Sequence, residues 1–200
     1  MLLTKQNLAV LAATDSNEGD FKSVVKLEPT TNRLIATNCA MMLISDLSGA
    51  LDRDKFPETD KAWWTNPESS LIPARALEKA GKNIKKSRMP ILECIAVEMS
   101  ETGHCLTTTD LDTTDTIKTR PTDINYPDID LVIETVENQV ETESYIIAIN
   151  ILEAMLKAAK QHGAKTLKFT SSGATTPIKI ETADNPGLTG YLMPYITEKG

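Results

Sequence analysis

The sequence is poor in the residues that usually carry chemistry. Its 200 residues hold two histidines, His104 and His162, and only 4% aromatics. His104-Cys105 and the distant His162 lack the spacing of zinc ligands. Two histidines support no Ser/His/Asp arrangement. Gly163-Ala164-Lys165-Thr166 ends in a Lys-Thr pair but lacks the glycine-rich phosphate loop. Asp110, Asp112 and Asp115 stand among threonines, where a solvated strand edge is a simpler reading than a cation site. No enzyme, cofactor or bound metal is therefore expected. Three cysteines, Cys39, Cys94 and Cys105, are too few and of odd number for a disulfide framework, which favours a reducing, cytoplasmic setting. The longest apolar runs, Leu8 to Ala13 and Cys39 to Ile44, are six residues each. A membrane-spanning helix needs about 20, so no membrane association is expected. Lys5, Gln6 and Asn7 interrupt the apolar start that a secretory leader would need.

What is present describes one or two globular domains. Apolar residues make up 40%, charged residues 24%, and the net charge is −7, enough to bury a real core. The chain also repeats itself. Three times an amphipathic helical segment precedes two strand-like runs around a turn, the pattern of an α+β fold. The helices are expected over 4–14, 73–86 and 150–162, and the strands over 23–28 and 33–38, 92–99 and 105–109, and 166–170 and 177–182. Pro29-Thr30-Thr31-Asn32, 100–103 and Ser171-Ser172-Gly173 supply the turn chemistry. Alternation at Leu167/Phe169 and Ile178/Ile180 points one strand face inward. The stretch from Asp52 to Ser69 reads as a surface loop, in which Trp63-Trp64 either anchors a partner or packs the loop down. Glu134 to Ser144 reads as an acidic connector.

Charge is distributed unevenly. Pro73 suits the first turn of a helix, with Ser69 or Ser70 upstream to help it start. At ~100° per residue, Leu77, Ala80, Gly81 and Ile84 share one face, and Arg75, Lys79, Lys82 and Lys86 gather opposite. In the third helix Ile151, Leu152, Met155, Leu156 and Ala159 form the buried face, with Lys157 opposite and Lys160 at its edge. These cations either make an ordinary solvated face or hold a polyanion through its phosphates. No aromatic residues accompany them, so a duplex backbone suits them better than a single strand. The second and third helices are expected side by side, with their cations on one concave wall.

Four short segments, in order, resemble the bacterial DNA polymerase III β sliding clamps. Leu34-Ile35-Ala36-Thr37-Asn38-Cys39-Ala40-Met41-Met42-Leu43 is similar to the family's A-T-D-G-H-R-L strand segment. Ser70-Leu71-Ile72-Pro73-Ala74-Arg75-Ala76-Leu77 resembles its v-I-P-r-k-a-l helix entry. Asn125-Tyr126-Pro127-Asp128-Ile129-Asp130-Leu131-Val132-Ile133 resembles r-F-P-D-Y-r-r-V-i, and Gly190-Tyr191-Leu192-Met193-Pro194-Tyr195-Ile196 resembles Y-V-V-M-P-M-R-L. The resemblance implies a clamp-like fold of repeated helix and antiparallel hairpin units, with helices on one face of curved sheets. Residues 1–134 would form one complete domain of two units, and 143–200 half of another.

The resemblance also implies a function. Family clamps are rings whose inner helices surround duplex DNA, so Arg75, Lys79, Lys82, Lys86, Lys157 and Lys160 would face phosphates without reading sequence. Six domains of two units make such a ring, so chains of three units would need four copies to close one. A homo-oligomer is therefore among the expected partners, beside duplex DNA and peptides of DNA polymerases or repair proteins. The family's peptide pocket would here comprise Thr37, Cys39, Met41, Met42, Pro127, Val132, Met193, Pro194 and Tyr195. Asn38, Cys39, Ala40 and Met41 replace Asp, Gly, His and Arg, which leaves peptide specificity open, and Met41, Met42 and Met193 read equally as core. The alternative function is a clamp-like interaction protein that binds peptides and does not encircle DNA.

Overall fold

Each of the first two units opens on a strand that pairs outside its own unit. The structure is a computed structural model and describes residues 1–15, 19–48, 56–57, 69–100, 102–137, 146–171 and 176–194. In the first unit β1 (Leu2–Thr4) leads a 3-10 segment (Asn7–Ala13), followed by β2 (Val24–Glu28), β3 (Arg33–Thr37) and β4 (Met41–Asp46). In the second, β5 (Ser70–Pro73) leads α1 (Ala74–Asn83), followed by β6 (Cys94–Ser100), β7 (Gly103–Thr109) and β8 (Thr114–Thr119). After α2 (Ile129–Glu137), the third unit comprises α3 (Ile149–His162), β9 (Leu167–Thr170), β10 (Ile178–Thr182) and β11 (Leu188–Leu192). β1 pairs antiparallel with β6 and β5 with β2, so the first two units exchange leading strands. The resulting orders β1-β6-β7-β8 and β5-β2-β3-β4 are equivalent. β11 pairs along β4, which continues the second sheet through β10 and β9 to seven strands.

Alternation along β3 and β4 serves two cores at once. Leu34, Ala36, Met41 and Leu43 join the main core beneath the helices, which also takes Leu3, Val25, Ile72, Leu77, Ile95 and Met155. Ile35, Met42 and Ile44 face the other way, onto Tyr126, Ile129, Val132 and Ile133. Both faces of these strands are therefore buried, and the sequence reads there as a continuous apolar run. Gly190 on β11 admits α3 closely: a Cβ there would sit 2.7 Å from Met155 Sδ. α3 ends in a left-handed cap at Gly163 (φ 91°), whose N–H donates to Lys160 O at 3.0 Å while Ala164 N–H donates to Ala159 O.

Several local expectations are corrected. Each unit carries three strands after its helix, since β4, β8 and β11 extend the predicted pairs. The first helix is a 3-10 segment with i+3 bonds at both ends (Ala9 N to Gln6 O, Thr14 N to Leu11 O). Leu8, Ala9, Val10 and Ala13 are all buried, so this run lacks the polar face of a surface helix. It packs against both α1 and α3, so those helices flank it and are not neighbours side by side. Pro73 precedes α1 as the last residue of β5, and no side chain caps the helix. Leu156 is exposed, while Ala158 and His162 take the buried face with Met155 and Ala159. Glu134 to Glu137 belong to α2, and Trp63-Trp64 lie outside the described residues.

His104, on β7, is buried with its Nδ1 3.1 Å from Thr119 Oγ1 and its Nε2 without a hydrogen-bond partner among the described residues. Burial holds this imidazole below its ordinary pKa. The unfolded chain takes up the proton first as pH falls, so the stability contribution is complete above about pH 6.5 and declines below it. Urea unfolding is expected to show a lower midpoint at pH 5 than at pH 7. His104→Gln should remove most of that difference, and an undiminished drop in the variant would refute the assignment.

Candidate partner groove and cationic helix faces

The sheet face turned away from the helices is only partly covered. Residues 126–133 lie across Ile35, Met42, Ile44 and Tyr191, and polar ties hold them there. The Tyr126 hydroxyl donates to Ile35 O at 3.2 Å. Arg33 donates to Glu28 Oε2 at 2.7 Å and reaches Asp130 Oδ1 on α2 at 2.9 Å. Burial opposes the charge on Glu28, but Lys26, Thr31 and Arg33 outweigh it and hold the carboxyl below its usual range. Burial, reinforced by the Glu28 charge, pushes the Tyr126 phenol up and keeps it a donor. The solvent-facing Arg33–Asp130 pair contributes at most about 1 kcal/mol. The apolar contacts beneath it therefore carry most of the attachment.

Where this cover ends, a hollow of about 230 Å³ opens, lined by Phe21, Thr37, Cys39, Met41, Met42, Pro127, Ile129, Val132, Pro177, Tyr191 and Met193. Thr37, Cys39, Met41, Met42, Pro127, Val132 and Met193 are the residues expected in a pocket, brought together from β3, the β3–β4 turn, β4, α2 with its approach and the end of β11. Pro194 is buried but does not line it, and Tyr195 lies outside the described residues. Phe21, Ile129, Pro177 and Tyr191 were not anticipated. Alternation offered a signal for Tyr191, which pairs with Met42 across β4 and β11 and so shares its face. No such signal marks Phe21, which a 3-10 segment (Phe21–Ser23) sets edge-on to Tyr126 at 6.3 Å. The wall is almost wholly apolar and rich in methionine, a composition that adapts to varied side chains.

The rim is the tight turn between β3 and β4. Asn38 Oδ1 accepts the N–H groups of Ala40 and Met41 at 3.2 and 2.9 Å. The Thr37 hydroxyl donates to Met41 O and accepts from Cys39 N–H. Cys39, exposed at the rim, carries φ 71°, a left-handed conformation that favours glycine. Cys39→Gly is expected to raise stability by about 0.5–1 kcal/mol after the extra freedom of the unfolded glycine is offset. A denaturant midpoint that falls in this variant would contradict the reading.

The expected cations occupy different surroundings. Lys79 and Lys82 are exposed on α1, and Lys157 and Lys160 on α3. Lys86 is exposed but lies beyond the end of α1, where Ile84 is already extended. Arg75 lines a separate hollow of about 770 Å³ together with Asp15, Glu78 and Asp123. The other candidates are structural. Asp110 accepts from Lys85 and from the N–H and hydroxyl of Thr113, which hold its carboxyl well below the usual range and brace the β7–β8 turn. Burial pushes the Cys94 thiol up to about 11, and its S–H donates to Ile91 O. His162 lies 3.3 Å from Pro186 O, away from His104 and Cys105. Among the described residues no group of three or more His, Cys, Asp or Glu could hold a metal, and no helix is long and apolar enough to cross a membrane.

Helix and antiparallel strand units, exchanging leading strands beneath a helical layer, define the sliding-clamp fold. Solved clamps are similar to this chain throughout. The DNA polymerase sliding clamp of Bacillus subtilis gives a TM-score of 0.66 at 13% identity, covering 98% of this chain and 64% of that one. The DNA polymerase III β subunit of Thermotoga maritima gives 0.64 at 15% identity, with 98% and 65% covered. A putative DNA polymerase III β subunit from Eubacterium rectale gives 0.65 at 12%, again with 98% and 65% covered. The chain thus spans just under two thirds of the length of these clamps. At such identities the likeness is one of fold, and the resemblance carried by the four short segments holds at that level. No family model and no curated protein matches the sequence.

Proposed function

We propose that this chain acts as a clamp-like processivity factor, holding duplex DNA through its helices and recruiting partners through the apolar hollow. The observation that carries this reading is the separation of two kinds of surface. The helical layer, with α1 over the four-stranded sheet and α3 over the seven-stranded one, exposes Lys79, Lys82, Lys157 and Lys160, and the face of the seven-stranded sheet turned away from it bears the uncharged hollow. Ammonium groups on helices neutralise phosphates without contacting base edges, which suits a protein that must slide. Arg75 and Lys86 would contribute from the margins of α1. In this reading 1–134 form one clamp-like domain and 143–200 half of a second. The protein works in the cytoplasm as a non-catalytic homo-oligomer. The hollow would take an apolar segment of a DNA polymerase or repair protein, with the methionines closing around its side chains.

Charge reversal tests the DNA half. Lys79→Glu, Lys82→Glu and Lys157→Glu together should weaken duplex binding at low salt by at least about tenfold and reduce the salt slope by about 3. Unchanged binding by fluorescence anisotropy would sink it.

A second reading, a peptide-binding protein that does not encircle DNA, is favoured by one observation: the chain's net charge of −7 opposes a polyanion and leaves an apolar segment in the hollow unaffected. Val132→Glu should reduce the affinity of a fluorescent polymerase-derived peptide by at least about tenfold and leave duplex binding intact. Peptide affinity that survives this change would place the recruiting surface elsewhere. DNA binding that survives the lysine reversals, with peptide binding lost in Val132→Glu, would select the second reading.

A further inference from the structure

The exchange of leading strands explains the first two units and leaves the third incomplete. Leu3 of β1 pairs with Ile95 of β6, and Ile72 of β5 with Val25 of β2, and all four side chains are buried. The third unit has the same order of helix and three strands, yet among the described residues it takes no part in an exchange. Among the described residues β9 ends the seven-stranded sheet, with β10 as its only neighbour. The residues just before α3, Ile146-Ile147-Ala148, belong to neither sheet, although Ala148 is extended (φ −65°, ψ 130°). Counted back from the helix starts, Ile146 and Ile147 stand where β5 has Leu71 and Ile72.

Exposed apolar side chains mark the same place. Ile146 is 53% exposed, Ile149 76%, Leu156 40% and Phe169 41%. Counted from the first residue of each helix, Ile149 corresponds to Ala74, which is buried. Leu156 corresponds to Gly81, where a Cβ would come within 2.5 Å of Leu8 in the first unit. The second unit thus sets small residues where it closes on its partner unit, and the third sets large apolar ones that the described residues leave exposed.

We propose that a second copy of this chain completes the third unit. Two third units related by a twofold axis exchange their 146–148 segments, each pairing antiparallel along the other's β9, with Ile149 and Leu156 buried between the two α3 helices. The occupant follows from what must be satisfied. Among the described residues the third unit offers both an unpaired leading segment and a second strand, β9, with one unpaired edge, and a twofold copy of itself supplies a partner for each. The pairing is the one that this chain already makes twice within itself. No charge stands on the 146–149 segment. β9 (Leu167–Thr170) carries a single charge, Lys168, in register with Glu181 of β10. The proposal rests on the strand exchange and on neither the DNA nor the peptide reading.

Sedimentation equilibrium of the chain without DNA, from 1 to 100 μM, tests it. The expected mass is twice the 21.9 kDa of the chain. Ile149→Glu, Leu156→Glu and Phe169→Glu, each at an exposed side chain and checked for an unchanged thermal transition, should raise the dissociation constant at least tenfold. A Cys39→Ser background carrying Ile146→Cys, mixed with one carrying Phe169→Cys, should give a crosslink between unlike chains with a short bismaleimide, located by mass spectrometry. A monomer at 100 μM, a dimer indifferent to all three substitutions, or a dimer without that crosslink would each overturn the proposal. Because DNA is absent throughout, loss of duplex binding in the lysine variants would leave this result untouched.

Discussion

The exchange of leading strands is the constraint on which the molecule depends. β1 and β5 are three and four residues long, too short to persist as edges of their own hairpins. Each is held by pairing with the second strand of the other unit, and Leu3, Ile72, Val25 and Ile95 meet beneath that pairing in the main core. Since β5 runs directly into α1, its pairing also fixes where the helix starts and which face it buries. The position of Lys79 and Lys82 at the surface is thus a consequence of a strand register set by a different unit.

Two-sided burial of β3 and β4 links that core to the hollow. Ala36 and Leu43 pair on the helix side, while Ile35 and Ile44 pair on the side covered by 126–133. A side chain lost from either face weakens the same strands, so hollow and core cannot vary independently. Pro127, Ile129 and Val132 of this cover line the hollow, which the Asn38-Cys39-Ala40 turn bounds on its other side. The Asn38 side chain, accepting two backbone N–H groups, makes this rim rigid even though Cys39 occupies a conformation better suited to glycine.

Local chemistry made part of this legible. The Pro29–Asn32 turn, the period of α3 and the alternation of β10 are written in neighbouring residues, and they were readable for that reason. Leading strands are not: three or four residues carry no measurable period, and the exchange is a relation between segments distant in the chain. β4 was hidden because both of its faces are buried, and β8 because T-D-T-I-K-T leaves most of its side chains in water. The first helical segment misled because a run buried on several sides has no polar stripe to fix its pitch. The hollow's residues were accessible only through resemblance, since Thr37, Pro127 and Met193 share no spacing that would draw them together. Phe21 was beyond even that.

The electrostatics divide as the fold does. The chain carries a net charge of −7, yet exposed lysines collect on α1 and α3, while the hollow's lining holds no ionisable side chain except the Cys39 thiol and the Tyr191 phenol. Attraction between these lysines and a polyanion is screened by salt over about 10 Å at 0.1 M, whereas burial of an apolar segment in the hollow is nearly indifferent to salt. If both surfaces bind as proposed, they would answer to different variables, and a change in ionic strength would loosen one without releasing the other. A protein holding a polyanion while exchanging apolar partners, the function proposed for this chain, would need that independence. The fold separates the two surfaces by setting α1 and α3 over different sheets and leaving the hollow on the face of the seven-stranded sheet turned away from them.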